Sequence, residues 1–445
     1  MRVLLAPVGS RGDVQPMLAL ADGLRRAGHS VTLAVPRGME GLAAAHGIAA
    51  IGSGSDVLQL VQAHAADLHR PLRAFTVLLR ECKRELQLQL DEMERLVPGH
   101  DLVVGAGLQL AAAAVCAAHR VAFRHVLYTP CLLPAPDHPP FWMPRRRLPG
   151  WLCRWLHWAP DVVNGKLLLA PLARYRQDHG LPPIGLPIAE MVGDFPLLAC
   201  EPGLAAAPGR FAGVVEQTGW LPPPAGTHQA LDPTLSAWLD AGTPPIQVGF
   251  GSMTDRAPAA TVALCQRLAQ RTGRRVLLLR GWSDHPTSAD PAVHVIDGAP
   301  HSALIPRCAL TIHHGGSGTS HAAAAAGTPQ IVVPHLFDQF DFAFRLERAG
   351  VAARSLSRAE WLPDARGVDR VMGRIAEVLD VPAVLTKCRA LAAMMAGRDG
   401  VGAAISALER QVAMHHAGTW RPPPLPQQPP WRRQDLPRLP PTSPK

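Results

Sequence analysis

A short apolar run, Ala309 to Ile312, breaks into a turn of two histidines, three glycines and three hydroxyls, and a helix of small residues, Ser320 to Ala326, follows at once. The turn reads His313-His314-Gly315-Gly316-Ser317-Gly318-Thr319-Ser320. Strand, glycine turn and helix in that order are common punctuation in α/β folds. They aim free backbone N–H groups and the positive end of a helix at an anion. Gly316 and Gly318 let phosphate oxygens approach the backbone, and His314, Ser317 and Thr319 can add hydrogen bonds. A bare glycine turn is commonly only a tight bend; the paired imidazoles and the run of hydroxyls set this one apart. Downstream, Pro329 to Val333 reads as a neighbouring strand that ends at Pro334, with Asp338-Gln339 in the loop beyond. An acid–amide pair at that edge can grip several sugar hydroxyls, the alternative being a turn capped by Asp338. A phosphate site beside a sugar-hydroxyl site is a pocket for a nucleotide sugar.

The same alternation runs through the rest of the chain. Val3 to Val8, Val14 to Ala27 and Val31 to Val35 read as strand, helix and strand, a doubly wound opening. Arg73 to Leu96 is a long amphipathic helix, Asp101 to Gly105 a strand, Leu108 to Ala118 a helix, and Arg124 to Tyr128 a strand. Val192 to Cys200 and Val214 to Thr218 complete a first domain over residues 1–220. Leu221-Pro222-Pro223-Pro224 is an extended linker. A second domain over 225–400 repeats the pattern, from the strand Ile246 to Phe250 onward. The 402–415 segment is a last helix. Residues 419–445 are rich in proline and arginine and cannot bury a core, so they are expected to be disordered or polyproline-like. Trp151, Trp155 and Trp158 fall on one helix face. That stripe faces either the core or an acceptor or membrane interface, since Phe141, Trp142 and Arg145-Arg146-Arg147 precede it.

Three motifs carry a family likeness. They are Gly9-Ser10-Arg11-Gly12-Asp13-Val14-Gln15-Pro16, Val248-Gly249-Phe250-Gly251-Ser252-Met253, and the stretch from His313 to Gln339. In order and separation the chain resembles the GT-B glycosyltransferases of the UDP-glycosyltransferase (family 1) type. The likeness is to the bacterial branch acting on antibiotics, lipids and sterols, over residues 1 to 415. The resemblance implies two Rossmann-like, doubly wound parallel-sheet domains facing across a cleft. The first would take the acceptor and the second the donor, with the last helix crossing back onto the first. It implies an inverting, metal-independent transfer of a hexose from a UDP- or dTDP-sugar to a lipophilic hydroxyl compound such as a sterol, lipid, carotenoid or polyketide.

Transfer needs a base for the acceptor hydroxyl, charge stabilisation for the leaving diphosphate, and the anomeric carbon held between them. Asp13 stands at the carboxyl edge of the first strand, where open α/β sheets bind ligands. By its sequence alone it reads first as a cap for the Val14 helix; by the likeness it is the base, and the two roles are compatible. Plant relatives place a histidine there, oriented by an aspartate that would fall near Gly105 or Ala106, and none is present. Ser10, Arg11 and Gly12 form the same loop. Gly251 and Ser252 would reach the diphosphate from the other side. Arg280 and Trp282 are the candidates for stacking the donor base, since the plant tryptophan would fall at Gly298. The plant ribose-binding glutamate would fall at Ala322. Asp338 and Gln339 favour a hexose with its hydroxyls intact.

Composition narrows the alternatives. The net charge of +9 owes +4 to residues 421–445, where five basic side chains face Asp435 alone. No nucleic-acid module accompanies the charge, so no nucleic-acid partner is expected. Eight scattered cysteines show no CxxC and the histidines no HExxH, so no metal site and no cofactor beyond the sugar nucleotide are expected. No run is long enough to span a bilayer. The expected place is the cytoplasm, with peripheral contact at the inner face of the membrane left open. The rival functions are a nucleotide-sugar 2-epimerase and a non-catalytic auxiliary protein of the same fold.

Overall fold

The structure, a computed structural model, describes residues 1–420 except 57–58, 60–62, 64–70, 142, 145–146, 158–168, 184–186, 194, 225–229 and 256, and the side chains of 71–79 and 187–189. Two parallel sheets organise it. The first holds β1 (Arg2–Val8), β2 (Ser30–Pro36), β3 (Ala50–Ser53), β4 (Leu102–Gly107), β5 (Ala122–Leu127), β6 (Leu197–Leu198) and β7 (Glu216–Gln217), in the order β3-β2-β1-β4-β5-β6-β7. The second holds β8 (Ile246–Gly249), β9 (Val276–Leu279), β10 (Val293–Ile296), β11 (Leu310–His313) and β12 (Gln330–Val332), in the order β10-β9-β8-β11-β12. Helices cover both faces, so the central strands are apolar without alternation. Val3, Leu4, Leu5, Leu102, Val103, Val104, Val276, Leu277 and Leu278 are all fully buried.

Each sheet reverses its strand order once, between β1 and β4 and between β8 and β11. Connections leave to opposite sides there and open a crevice beyond the carboxyl ends. Register fixes what meets in it: Val8 pairs with Gly107, and Gly249 with His313. The two halves share an apolar seam. Leu127, Leu133, Leu204 and Phe211 pack in one cluster with Phe342, Leu346, Leu391 and Met395. The Gly400–His416 helix lies on the first half, its Ala404, Leu408 and Val412 joining Leu18, Leu20 and Leu24. Gln411 also donates from Nε2 to the Phe123 carbonyl at 2.8 Å.

Some elements differ from the sequence reading. The strand expected over 192–200 shrinks to Leu197–Leu198, because the Pro187–Val192 helix runs into it and Pro196 has no ladder N–H. The helix expected from Leu108 starts at Ala112. Gly107 first turns the chain at φ +63°, and the Gln109 Oε1 accepts from the Ala111 and Ala112 N–H groups at 3.2 and 3.3 Å. Residues 150–157 are helical, but Cys153 and Leu156 face inward. Trp151 and Trp155 stay 50% and 47% exposed, so they do not form a core stripe. Trp142, Arg145, Arg146, Trp158 and the segment 421–445 lie outside the described residues.

Candidate active site

The Arg11–Arg26 helix begins three residues earlier than its apolar periodicity shows, and this places Asp13 in its first turn. Ser10 caps the helix, its Oγ accepting from the Gly12 N–H at 3.3 Å. Asp13 returns the bond: its Oδ2 accepts from the Ser10 N–H at 2.8 Å and the Ser10 hydroxyl at 3.3 Å. This is a capping box with aspartate in the usual glutamate place. Two glycines clear the space around the carboxylate. Gly9 sits at φ +151°, and a Cβ there would collide with Oδ2. Gly107 sits at φ +63°, and a Cβ there would stand 3.0 Å from Oδ1 and collide with the Val8 carbonyl. The Tyr128 hydroxyl donates to the Asp13 carbonyl at 2.9 Å and fixes the turn from below. Burial pushes the Asp13 carboxyl up to about 6, against the opposing pull of the Ser10 hydrogen bonds.

In the second crevice the helix after β11 spans Ser317–Ala325, so Ser317, Gly318 and Thr319 form its first turn, with Gly316 as cap and no side-chain cap bond. Their N–H groups are the ones an α-helix leaves without an internal partner. Behind the turn, His313 lies fully buried. Its Nδ1 accepts from the Gly315 N–H at 3.1 Å, which leaves Nε2 to donate to the Gln330 Oε1 at 2.9 Å. His314 packs against Gly251, where a Cβ would lie 3.2 Å from its Cε1. The His314 Nδ1 is buried and has no hydrogen-bond partner among the described residues. Burial, then the neighbouring His313, His335 and His301, hold His314 down at about 3. Its ring is neutral at physiological pH, so the site's positive potential comes from the helix end and not from an imidazolium. Arg11 reaches this side: after burial, its guanidinium is what lowers His301, to about 4.

The loop after β12 brings Asp338 to the same cleft. Burial raises its carboxyl to about 7, with the Asp13 charge next in weight and Asp341 third. The two aspartates therefore lie within electrostatic reach of each other. Phe141 and Phe337 meet across the same gap, ring centres 5.7 Å apart. Gln339 is buried, and its Oε1 accepts from the His335 and Leu336 N–H groups at 2.8 and 3.1 Å. Its oxygen shapes the loop, leaving Nε2 beside the Met253 sulfur at 3.4 Å. Ser252 is half-buried next to Gly251. Arg280 is engaged within the domain, donating to the His285 carbonyl at 2.7 Å and paired with Asp297 at 2.6 Å. Trp282 is half-buried, its backbone N–H donating to the Gly251 carbonyl at 2.9 Å. Among the described residues no group of three or more His, Cys, Asp or Glu is placed to hold a metal ion.

Known proteins match this arrangement. Residues 3–123 match the glycosyltransferase family 28 N-terminal domain, and residues 282–400 the C-terminal domain of erythromycin biosynthesis protein CIII-like proteins. Vancomycin aglycone glucosyltransferase of Amycolatopsis orientalis is 32% identical over 356 residues, 79% of this chain and 85% of that protein. The chain belongs to the GT-B glycosyltransferases. Within this family it is also similar to sterol 3-beta-glucosyltransferase UGT80B1 of Arabidopsis thaliana, 26% identical over 93% of this chain and 68% of that one. The fold matches the Streptomyces sp. SF2575 glycosyltransferase SsfS6 solved with thymidine diphosphate, with a TM-score of 0.61, 20% identity, and 92% of this chain and 99% of that chain covered.

For this GT-B glycosyltransferase the structure brings Asp13 and Asp338 within electrostatic reach of each other and gathers Gly251, His314 and the Ser317–Thr319 turn at one sheet edge. Sequence reasoning passed over Gly107, Tyr128 and Gln330. Gly107 had a partial signal, as a glycine ending an apolar strand. The other two act through contacts distant in sequence, and nothing local marks them.

Proposed function

We propose that this glycosyltransferase moves a hexose from a UDP- or dTDP-sugar to a hydroxyl of a lipophilic small molecule, with inversion and without a metal ion. The observation that carries this reading is the Asp13 carboxylate beyond the end of β1, with space cleared around it by Gly9 and Gly107 and within electrostatic reach of Asp338. Asp13 takes the proton of the acceptor hydroxyl as that oxygen bonds to the anomeric carbon. The bond from that carbon to the diphosphate oxygen breaks, and its electron pair leaves with the nucleotide. A base of pKa about 6 is ionised at neutral pH and still accepts a proton from a hydroxyl made acidic late in the transition state. A single displacement inverts the anomeric centre.

The amides of Ser317, Gly318 and Thr319, the helix end behind them, and His314 receive the diphosphate, with Arg11, Gly251 and Ser252 facing it. Asp338 and the Gln339 amide nitrogen bind donor hydroxyls, and Trp282 contacts the base. Arg280 supports Trp282 through its bond to His285. The lipophilic acceptor is supported by apolar side chains exposed at the cleft: Leu108, 60% exposed after Gly107, and Phe337, 50% exposed before Asp338. Peripheral membrane contact rests on Trp151 and Trp155 alone, and sedimentation with anionic vesicles tests it.

The deciding experiment is a panel of UDP-glucose, UDP-N-acetylglucosamine, UDP-galactose and dTDP-rhamnose against mixed sterol, lipid and polyketide acceptors, read by mass. NMR of the product's anomeric proton tests inversion. Full activity after EDTA treatment is expected; loss in EDTA with recovery in magnesium overturns metal independence.

A further inference from the structure

His321 takes no part in the chemistry above, yet it has a partner in every direction. It is fully buried in the second turn of the Ser317–Ala325 helix. The Glu201 backbone N–H, from the first half of the chain, donates to its Nε2 at 3.1 Å. A backbone N–H can only donate, so Nε2 is bare and Nδ1 carries the proton. Nδ1 then donates to the Ser317 carbonyl at 2.8 Å and lies 3.4 Å from the Ser317 hydroxyl. One ring thus joins the first half directly to the first residue of the phosphate turn.

The ring also sits where the chain passes between halves. It stacks on Trp220, centres 6.0 Å apart and planes at 14°, and presents an edge to Phe342 at 5.5 Å. Trp220 immediately precedes the Leu221–Pro224 linker. The chain returns at Gly400, packed so closely that a Cβ would collide with the Trp220 carbonyl. Arg398, just before the return, pairs with the Glu201 carboxylate at 2.9 Å. Both crossings therefore touch the residue that His321 stacks on, and the second holds the residue that donates to it. Burial keeps His321 neutral, down at about 4, so this tautomer persists through the physiological range.

We infer that His321 is a positioning residue that makes donor-diphosphate binding at the Ser317–Thr319 turn depend on the seam between the two domains. Its Nδ1–H sets the direction of the Ser317 carbonyl, and with it the helix-end N–H groups. Its Nε2 meets its partner only when the first domain is seated. This rests on the reading of the turn as the phosphate site.

His321→Phe keeps the stacking and removes both hydrogen bonds. Calorimetry with UDP and dTDP should show a Kd about tenfold weaker, the equivalent of one net hydrogen bond. The donor KM should rise in step, while the acceptor KM stays within twofold. A purely packing role would lower Tm without moving the nucleotide Kd of the folded protein, and that result overturns the inference.

Should the phenylalanine variant not fold, Glu201→Pro decides. Glu201 already has φ −65°, which proline adopts, so the change deletes the donated N–H and spares the imidazole. A Kd about fivefold weaker than in the Glu201→Gln control is expected, and equality with that control overturns the inference. His314→Ala separates the two failures. If it weakens nucleotide binding while His321→Phe does not, only the coupling is wrong; if neither does, the phosphate assignment is wrong as well.

Discussion

Replacing Asp13 by Asn should cut turnover by orders of magnitude and at the same time stabilise the protein. Burial displaces the Asp13 carboxyl from the ordinary 3.8 to about 6. At about 1.4 kcal/mol per pH unit, holding this carboxylate ionised in the folded state costs about 3 kcal/mol at pH 8. That is a ceiling, since Asp13 keeps some contact with water. A carboxyl with a raised folded pKa favours folding fully only below about pH 4, and the contribution fades as pH climbs through 6. Asparagine never ionises and keeps an oxygen for the Ser10 N–H. Asp13→Asn should therefore gain up to about 3 kcal/mol over the parent at pH 8, about half of that at pH 5, and little below about pH 4. Urea unfolding followed by fluorescence at pH 5 and 8 measures the difference. Turnover should fall by roughly two to four orders of magnitude, as for loss of a general base, with UDP affinity preserved. A variant no more stable at pH 8 than at pH 5, relative to the parent, would show that the carboxylate is well solvated and that its role is the helix cap. An unaffected rate would remove it as the base.

Three further outcomes follow from the same geometry. His314→Ala should weaken UDP or dTDP binding about tenfold by calorimetry, the loss of one hydrogen bond to phosphate; unchanged affinity discredits the turn as the diphosphate site. Asp338→Asn removes the carboxyl held up at about 7 and leaves Asp13 at about 6, so the acid limb of kcat/KM should move to lower pH while the donor KM rises. A limb that stays in place would separate the two carboxylates. Deleting 421–445 should leave activity and Tm intact, whereas removing Trp420 as well should lower Tm, because its ring packs 5.6 Å from the buried Arg124 guanidinium and 6.1 Å from Phe195.

What the sequence made legible was local. The β11 strand, its glycine turn and the following helix could be read because the apolar run, the glycines and the small residues are contiguous. The same holds for β1 with the Gly9–Asp13 loop. Two contiguous segments, one from each half, were enough to point to strand ends as the positions of the candidate base and the candidate phosphate turn. What escaped was set by register and by contacts between the halves. Gly107 matters because β4 pairs with β1 so that it lies beside Asp13, and a single strand cannot show its partner's register. Gln339 reads as a sugar ligand from its neighbour Asp338, yet its oxygen is used by two backbone N–H groups of its own loop, because the turn after Pro334 folds those donors back onto it. The Trp stripe has helical spacing, which fixes that a face exists but not which side of it meets the core.

The two aspartates bear on how the free enzyme and the loaded one differ. Without ligand, burial raises the cost of ionising both carboxylates, and the Asp13 charge adds to that cost at Asp338. A donor sugar hydroxyl beside Asp338 and an acceptor hydroxyl beside Asp13 would each donate a hydrogen bond to a carboxylate, and hydrogen bonds to the charged form lower its pKa. Binding would therefore offset part of the cost of ionisation that the free enzyme carries. The consequence is readable in kinetics, because kcat/KM reports ionisations of the free enzyme and kcat those of the loaded one. The acid limb of kcat/KM should fall near pH 6 to 7, and that of kcat should lie at least about half a pH unit lower. Coincident limbs, or a kcat limb displaced upward, would mean that the substrates do not hydrogen-bond these carboxylates before reaction, and the assignment of Asp338 to the donor hydroxyls would fail with it.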